Sequence, residues 1–286
     1  MWKVKYNTNE RLDYDADGRK NGQLKERVKF LGENMNEIIE NCIEKVAEIF
    51  KQFPDKNKNE WTFKTTGLKK IISGDDFDSI ENEQNFYKKN IRLKKILQKY
   101  FCSDNGGDNG KNRKLAEWIV KDWGKISSVK NFDPIINDIK LFYSDKDKLN
   151  NIELSKEISS RSKVLSFLSP KEYVICDSRN IFALNWLFYF AQCDKGKIHL
   201  FKPLAARNTI IPKYSLEIIA NIVFDKKIEY SFVKYSDFCD TIKKIAKKIG
   251  HNEIYQTEME LFSISVDENQ GIPFYIKKKL REMLEK

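Results

Sequence analysis

The sequence predicts a mostly α-helical protein, and three observations carry that expectation. Apolar residues recur at three- and four-residue steps through most of the chain, as one face of a helix requires. Strand-like alternation is confined to two short runs, Glu172 to Cys176 and Ile228 to Phe232. Prolines and glycines (Pro170, Gly196, Pro203, Pro212, Gly250, Pro273) fall between the periodic stretches, where helices should stop.

Residues 1–23 are polar. Within them Asp13-Tyr14-Asp15-Ala16-Asp17-Gly18 matches positions 1, 3, 5 and 6 of a calcium loop, but position 12 is Leu24 where a bidentate carboxylate is needed. An acidic surface turn is therefore expected. From Leu24 to Phe53, the residues Val28, Leu31, Met35, Ile38, Ile39, Cys42, Ile43, Val46 and Ile49 mark a long amphipathic helix, or two, ending near Pro54. A short helix is expected over Gly67 to Ser73. Another is expected over Phe86 to Phe101, with Ile91, Leu93, Ile96, Leu97 and Tyr100 inward and lysines on a solvated face.

Ser103 to Gly110 is the one glycine-rich, strongly polar stretch. It lacks the Gly-Lys-Ser/Thr ending that cradles a triphosphate, so it reads as a linker between a region 1–103 and a region 112–286. Beyond it, helices are expected over Lys114–Trp123, Phe132–Tyr143, Leu154–Leu168, Asp177–Cys193, Ser215–Phe224, Tyr235–Ile249 and Pro273–Lys286. No internal repeat is visible.

At 286 residues with 41% hydrophobic content, the chain can bury a sizeable core. No run approaches the roughly 20 apolar residues of a membrane span. The opening Met1 to Tyr6 lacks the apolar block of a signal peptide, so a cytoplasmic protein with no membrane partner is expected. The five cysteines are scattered and never form a CxxC pair, and only His199 and His251 could join them. Neither a metal nor another cofactor is expected from that spacing.

The net charge of +10 suggests an anionic partner. Of the 52 basic residues, however, only nine are arginine, and the lysine excess fits an A+T-rich coding sequence. Lysine favours phosphate contact over the forked reading of base edges.

The stretch from Ile158 to Leu184 is the most informative. A serine-rich turn and Lys163 open a short apolar helix, and a link broken by Pro170 follows. Asp177 then stands where an N-cap would sit, ahead of a second apolar helix. On local pattern alone, Asp177 is a cap for the Arg179 or Asn180 N–H, and Lys163 is a snorkelling surface lysine.

The order of these pieces resembles the core of the helix-hairpin-helix (HhH-GPD) DNA glycosylases, and most closely proteins of the bacterial 8-oxoguanine glycosylase fold. The likeness lies in Ser162-Lys163, Pro170, and Ile175-Cys176-Asp177-Ser178-Arg179 opening an Ala183-Leu184 helix. Ala116 to Gly124 and Glu258 to Phe262 are also similar to segments of those proteins, so the resemblance spans about residues 112–262. The family's glycine hairpin is replaced by Ile158 to Ser162, and the step from Lys163 to Asp177 is shorter than in most members.

The resemblance implies a helical glycosylase core with an added helical N-terminal region. It implies an enzyme that excises an oxidised or otherwise modified base from double-stranded DNA, in repair or in defence against foreign DNA. Asp177 would stabilise the sugar cation or orient water, and Lys163 would form a Schiff base in an abasic-site lyase step. Arg161, Arg179, Arg207, Ser160 and Ser162 become candidate DNA contacts. Trp118, Trp123, Trp186 and Phe182, with Tyr189, become candidate walls for the flipped base, although Phe182, Trp186 and Tyr189 share one helical stripe as core residues would. Two alternatives stand beside this reading. One is a catalytically silent DNA binder of the same fold; the other is an interaction protein whose basicity reflects codon usage.

Overall fold

Helices dominate because apolar stripes along the chain find partners on one another, while only one short pair of strands forms among the described residues. The computed structural model describes residues 37, 39–53, 62–102, 109–192, 197–223 and 227–285. The acidic turn near Asp13 and the start of the expected helix from Leu24 lie outside the described residues.

Helix α1 (residues 39–51) buries Ile39, Cys42, Ile43, Val46 and Phe50. The turn Leu68–Lys70 is a single 3-10 turn, shorter than the expected helix there. It is followed by α2 (Gly74–Glu81), which the apolar spacing does not reveal. Ser73 caps α2 by accepting the Asp76 N–H, and Asp75 and Asp76 sit in its first turn, where the helix dipole favours acids. Helix α3 (Phe86–Cys102) matches its expected span. Its lysine face is not wholly solvated, however: Lys94 is 1% exposed.

Helix α4 (Asn109–Glu117) runs into a π-helical segment, Trp118–Trp123, that ends at Gly124. Asn109 and Gly110 of the glycine-rich stretch are thus helical, and residues 103–108 lie outside the described residues. Helices α5 (Asp133–Ser144) and α6 (Ile158–Leu168) pack on each other, and α3 packs on α6. Residues from Ile39 onward form one compact unit.

Helix α7 (Ser178–Ala191) is the centre of this unit. Every residue from Asn180 to Ala191 is buried, as its nearly unbroken apolar sequence demands. Strand β1 (Lys197–Phe201) follows it, outside both of the expected strand runs. Helices α8 (Ile210–Lys213) and α9 (Leu216–Val223) carry the chain to β2 (Lys227–Phe232), which pairs with β1 in parallel. Asn185 of α7 holds β1 by exchanging two hydrogen bonds with the Phe201 backbone, each 2.9 Å.

Helices α10 (Tyr235–Ile249), α11 (Ile254–Ser265) and α12 (Ile272–Leu284) complete the fold, and α11 packs along α7. Two ion pairs, Lys244 with Glu40 and Lys248 with Glu44, tie α10 to α1. No helix among the described residues is long and apolar enough to cross a membrane.

The run Glu172 to Cys176 forms no strand. Side chains satisfy its backbone instead: Tyr235 Oη donates to Val174 O at 2.6 Å, and Asn180 Nδ2 to Ile175 O at 2.8 Å. Ser162 Oγ accepts the Cys176 N–H at 3.0 Å and donates back to Cys176 O at 3.2 Å. Buried backbone polar groups need such partners.

Candidate functional site

The tethered link delivers Asp177 to the start of α7 beside the second turn of α6. Asp177 Oδ1 accepts the N–H groups of Arg179 and Asn180 at 3.0 and 3.1 Å, so the anticipated cap is present. Its other oxygen, Oδ2, lies 3.5 Å from Lys163 Nζ. Both side chains are largely buried, Lys163 to 8% exposure and Asp177 to 16%. Lys163 is therefore no surface lysine.

Its stem is held by the end of the π-helical segment. A Cβ added at Gly124 would come within 2.8 Å of Lys163 Cδ and 2.9 Å of the Ile119 and Val120 carbonyl oxygens. Only glycine leaves room for the lysine there. π-Helical insertions recur at functional sites because they re-aim neighbouring groups.

The pair opens onto a groove of about 940 Å³ between the Gly124–Asn131 loop, α6 and the Ala205–Thr209 loop. Seven lysine or arginine residues line it against two acidic ones, Glu157 and Asp177. Arg161, Arg179, Arg207 and Ser160 are all in that wall. Arg161 is clamped by Asp138 through two bonds of 2.7 Å, which hold its guanidinium above the usual range, while burial pushes the Asp138 carboxyl up. Arg179 stacks 4.6 Å over the Phe262 ring, and Arg207 donates to Ser128 Oγ at 2.8 Å. Ser160 Oγ donates to Glu157 O. Ser162 is fully buried and serves the Cys176 backbone, away from the groove wall.

The aromatic candidates separate. Trp118 is 2% exposed and donates its indole N–H to Thr66 O; Trp186 is fully buried and donates to Tyr214 O, with Tyr189 edge-on to it at 5.4 Å. These three are core. Trp123, next to Gly124, donates to Asn90 Oδ1 and meets the Phe167 ring edge-on at 5.0 Å. Phe182 lines a second cavity of about 120 Å³, with Ile181, Leu200 and Tyr230. Ser178 lines both cavities.

No protein-family model, curated protein or solved structure matches the chain. Its function therefore rests on the geometry. Among the described residues, no cluster of three or more His, Cys, Asp or Glu side chains could hold a metal ion.

Two site residues escape sequence reasoning. Lys94 of α3 and Glu258 of α11 form a second, wholly buried ion pair at 3.6 Å behind Lys163 and Asp177. Lys94 looks like every other lysine of α3 in sequence, and Glu258 sits two residues from Glu260, which is partly exposed. The signals available for Glu258 are its place at the head of the Glu258 to Phe262 segment and the apolar residues on most sides of α11, which leave it little room to reach water.

Proposed function

We propose that the chain is a DNA glycosylase with abasic-site lyase activity, acting on a modified base through Lys163 and Asp177. The observation that carries this reading is the Lys163–Asp177 pair, 3.5 Å apart, at the wall of a groove rich in cations. A duplex supplies the matching anion, because cationic side chains gain affinity by replacing counterions along phosphates. A carboxylate beside the sugar stabilises the positive charge that develops as the glycosidic bond breaks.

In the lyase route the Lys163 amine attacks the C1′ carbon and the base departs with the electron pair of the broken C–N bond. The nitrogen lone pair then expels the ring oxygen from C1′; that oxygen leaves with the C–O electron pair and takes up the proton the nitrogen has shed, so the 4′ hydroxyl and the Schiff base result. Asp177 Oδ2 is near enough to receive the proton that the nitrogen sheds. The cavity past Ser178, with Phe182 in its wall, suits an extruded base, which needs an apolar face to replace its stacking. The resemblance of residues 112–262 to the helix-hairpin-helix glycosylases points the same way.

The test is incubation of the purified protein with duplexes carrying a panel of modified bases, followed by alkali. Strand scission with wild type that vanishes in Asp177→Asn supports the reading. Tight, salt-sensitive binding with no base released from any duplex would move the assignment to a silent DNA reader. Binding no better than that of an unrelated protein of equal charge would remove DNA from the account.

A further inference from the structure

The buried ion pair behind the site takes no part in base excision or the lyase step. Glu258 is fully buried, and Lys94 is the one cation paired with it among the described residues. Burying a carboxylate is costly even with a cation paired to it, so a sequence that keeps one has a use for its charge or tolerates the penalty. Lys94 Nζ, 3.6 Å away, donates to Ser166 Oγ at 3.1 Å and stands 4.8 Å over the Phe167 ring.

Both contacts lead back to Lys163. Ser166 Oγ donates to the Lys163 carbonyl oxygen at 2.8 Å. Phe167 meets Trp123, whose neighbour Gly124 abuts the Lys163 stem. Lys94 thus braces the turn of α6 that carries the reactive amine, and Glu258 braces Lys94 from α11.

We propose that Lys94 and Glu258 are positioning residues, a buried pair that fixes the place and charge balance of Lys163 without touching substrate. This rests on the reading of Lys163 as the reactive amine. Electrostatics agree with the geometry. Burial pulls the Lys94 ammonium below the usual lysine range, Glu258 opposing and Lys163 adding to the fall. Burial pushes the Glu258 carboxyl up, Lys94 and Lys163 opposing and Asp177 adding. Lys163 thus stands in the field of both members of the pair, a cation on Lys94 and an anion on Glu258. Of the other groups packed around the cluster, Tyr87 of α3 and Cys239 of α10 feel Glu258, and Cys176 feels Asp177 and Lys163.

The test is reductive methylation of the full chain with formaldehyde and cyanoborohydride across a pH series, read at Lys163 by mass spectrometry. Only the unprotonated amine reacts. The half-maximal pH moves down in Glu258→Gln and up in Lys94→Met; a half-unit move is about a threefold change in rate at fixed pH. Circular dichroism establishes which variants fold. Profiles that superimpose on wild type, or move in one direction in both variants, overturn the proposal. Where a single variant does not fold, Lys94→Met/Glu258→Met carries the test, because it leaves no unpaired buried charge. The two charge changes oppose each other there, so the readout is the plateau methylation rate of Lys163 at high pH, which departs from wild type once the brace on α6 is lost; an equal plateau overturns the proposal.

Formaldehyde needs no DNA, so the two readings fail separately. Displaced profiles without base excision sink the glycosylase assignment alone. Base excision with superimposed profiles sinks the role of the inner pair alone.

Discussion

Asp177 divides its carboxylate between two partners: Oδ1 caps α7 through the Arg179 and Asn180 N–H groups, and Oδ2 faces Lys163 Nζ at 3.5 Å. One residue thus fixes the start of the central helix and completes the proposed reactive pair. The two roles come apart on substitution.

Asn caps a helix about as well as Asp. Asp177→Asn should therefore keep the cap and melt above Asp177→Ala, while losing base release and leaving the largely buried Lys163 without its carboxylate partner. Asp177→Ala should lose base release and also about 1 kcal/mol of stability with the cap. Thermal unfolding beside the alkali assay separates these outcomes. An Asp177→Asn protein that melts early and still cleaves would contradict the division.

Gly124→Ala presses a methyl onto Lys163 Cδ and the Ile119 and Val120 carbonyls. Overpacking of this kind costs about 1–3 kcal/mol. Displacing the amine by about 1 Å should lower the rate of Schiff-base formation by up to about a hundredfold. Gly74→Ala, with nothing within 4 Å of its added Cβ, serves as the control: the rate should not change, and stability should match wild type or exceed it by up to about 1 kcal/mol.

The inner pair gives stability a defined pH dependence. Glu258 has its folded pKa raised above 4.5, so the native state keeps a proton that the unfolded chain has lost, and stability falls as pH rises through that window. Lys94 has its folded pKa lowered below 10.5, so the unfolded chain holds the extra proton and stability rises with pH below 10.5. Melting temperature followed against pH in wild type and Lys94→Met/Glu258→Met should show both slopes flattened in the double variant. Either single change should cost about 3–5 kcal/mol, and the double change much less. Parallel curves would show that neither group titrates in its burial site.

The cations of the groove differ in what their removal does. Lys130→Ala and Arg207→Ala take away exposed positive charge, and for each phosphate left without its cation the slope of log affinity against log salt should fall by about 0.9. Arg161→Ala instead strands the buried Asp138 carboxylate, so its weaker binding should come with lower stability. Fluorescence anisotropy on a duplex across a salt series, with melting curves, checks both. An Arg161→Ala protein of unchanged stability would remove the ion pair from the account.

Much of the fold is legible in the sequence where a pattern repeats. The spans of α3, α5, α7 and α10 follow from three- and four-residue spacing, and the Asp177 cap from its place before an apolar run. Strand β1 is hidden because five residues between α7 and α8 give too few alternations to see. Helix α2 is hidden because its acidic first turn masks a stripe with a single buried residue, Ile80. Order along the chain suggests the pairing of Lys163 with Asp177, but their separation and the inner pair depend on how α3, α6, α7 and α11 pack. Spacing along one helix carries no record of which lysine another helix will cover.

The central claim is that Lys163 is a reactive amine facing DNA, and borohydride trapping tests it most directly. Wild type and Lys163→Gln are mixed with a duplex containing an abasic site, reduced, and resolved by denaturing electrophoresis. The account predicts a covalent protein–DNA adduct with wild type and none with Lys163→Gln. No adduct with wild type, or an equal adduct with both, would contradict it.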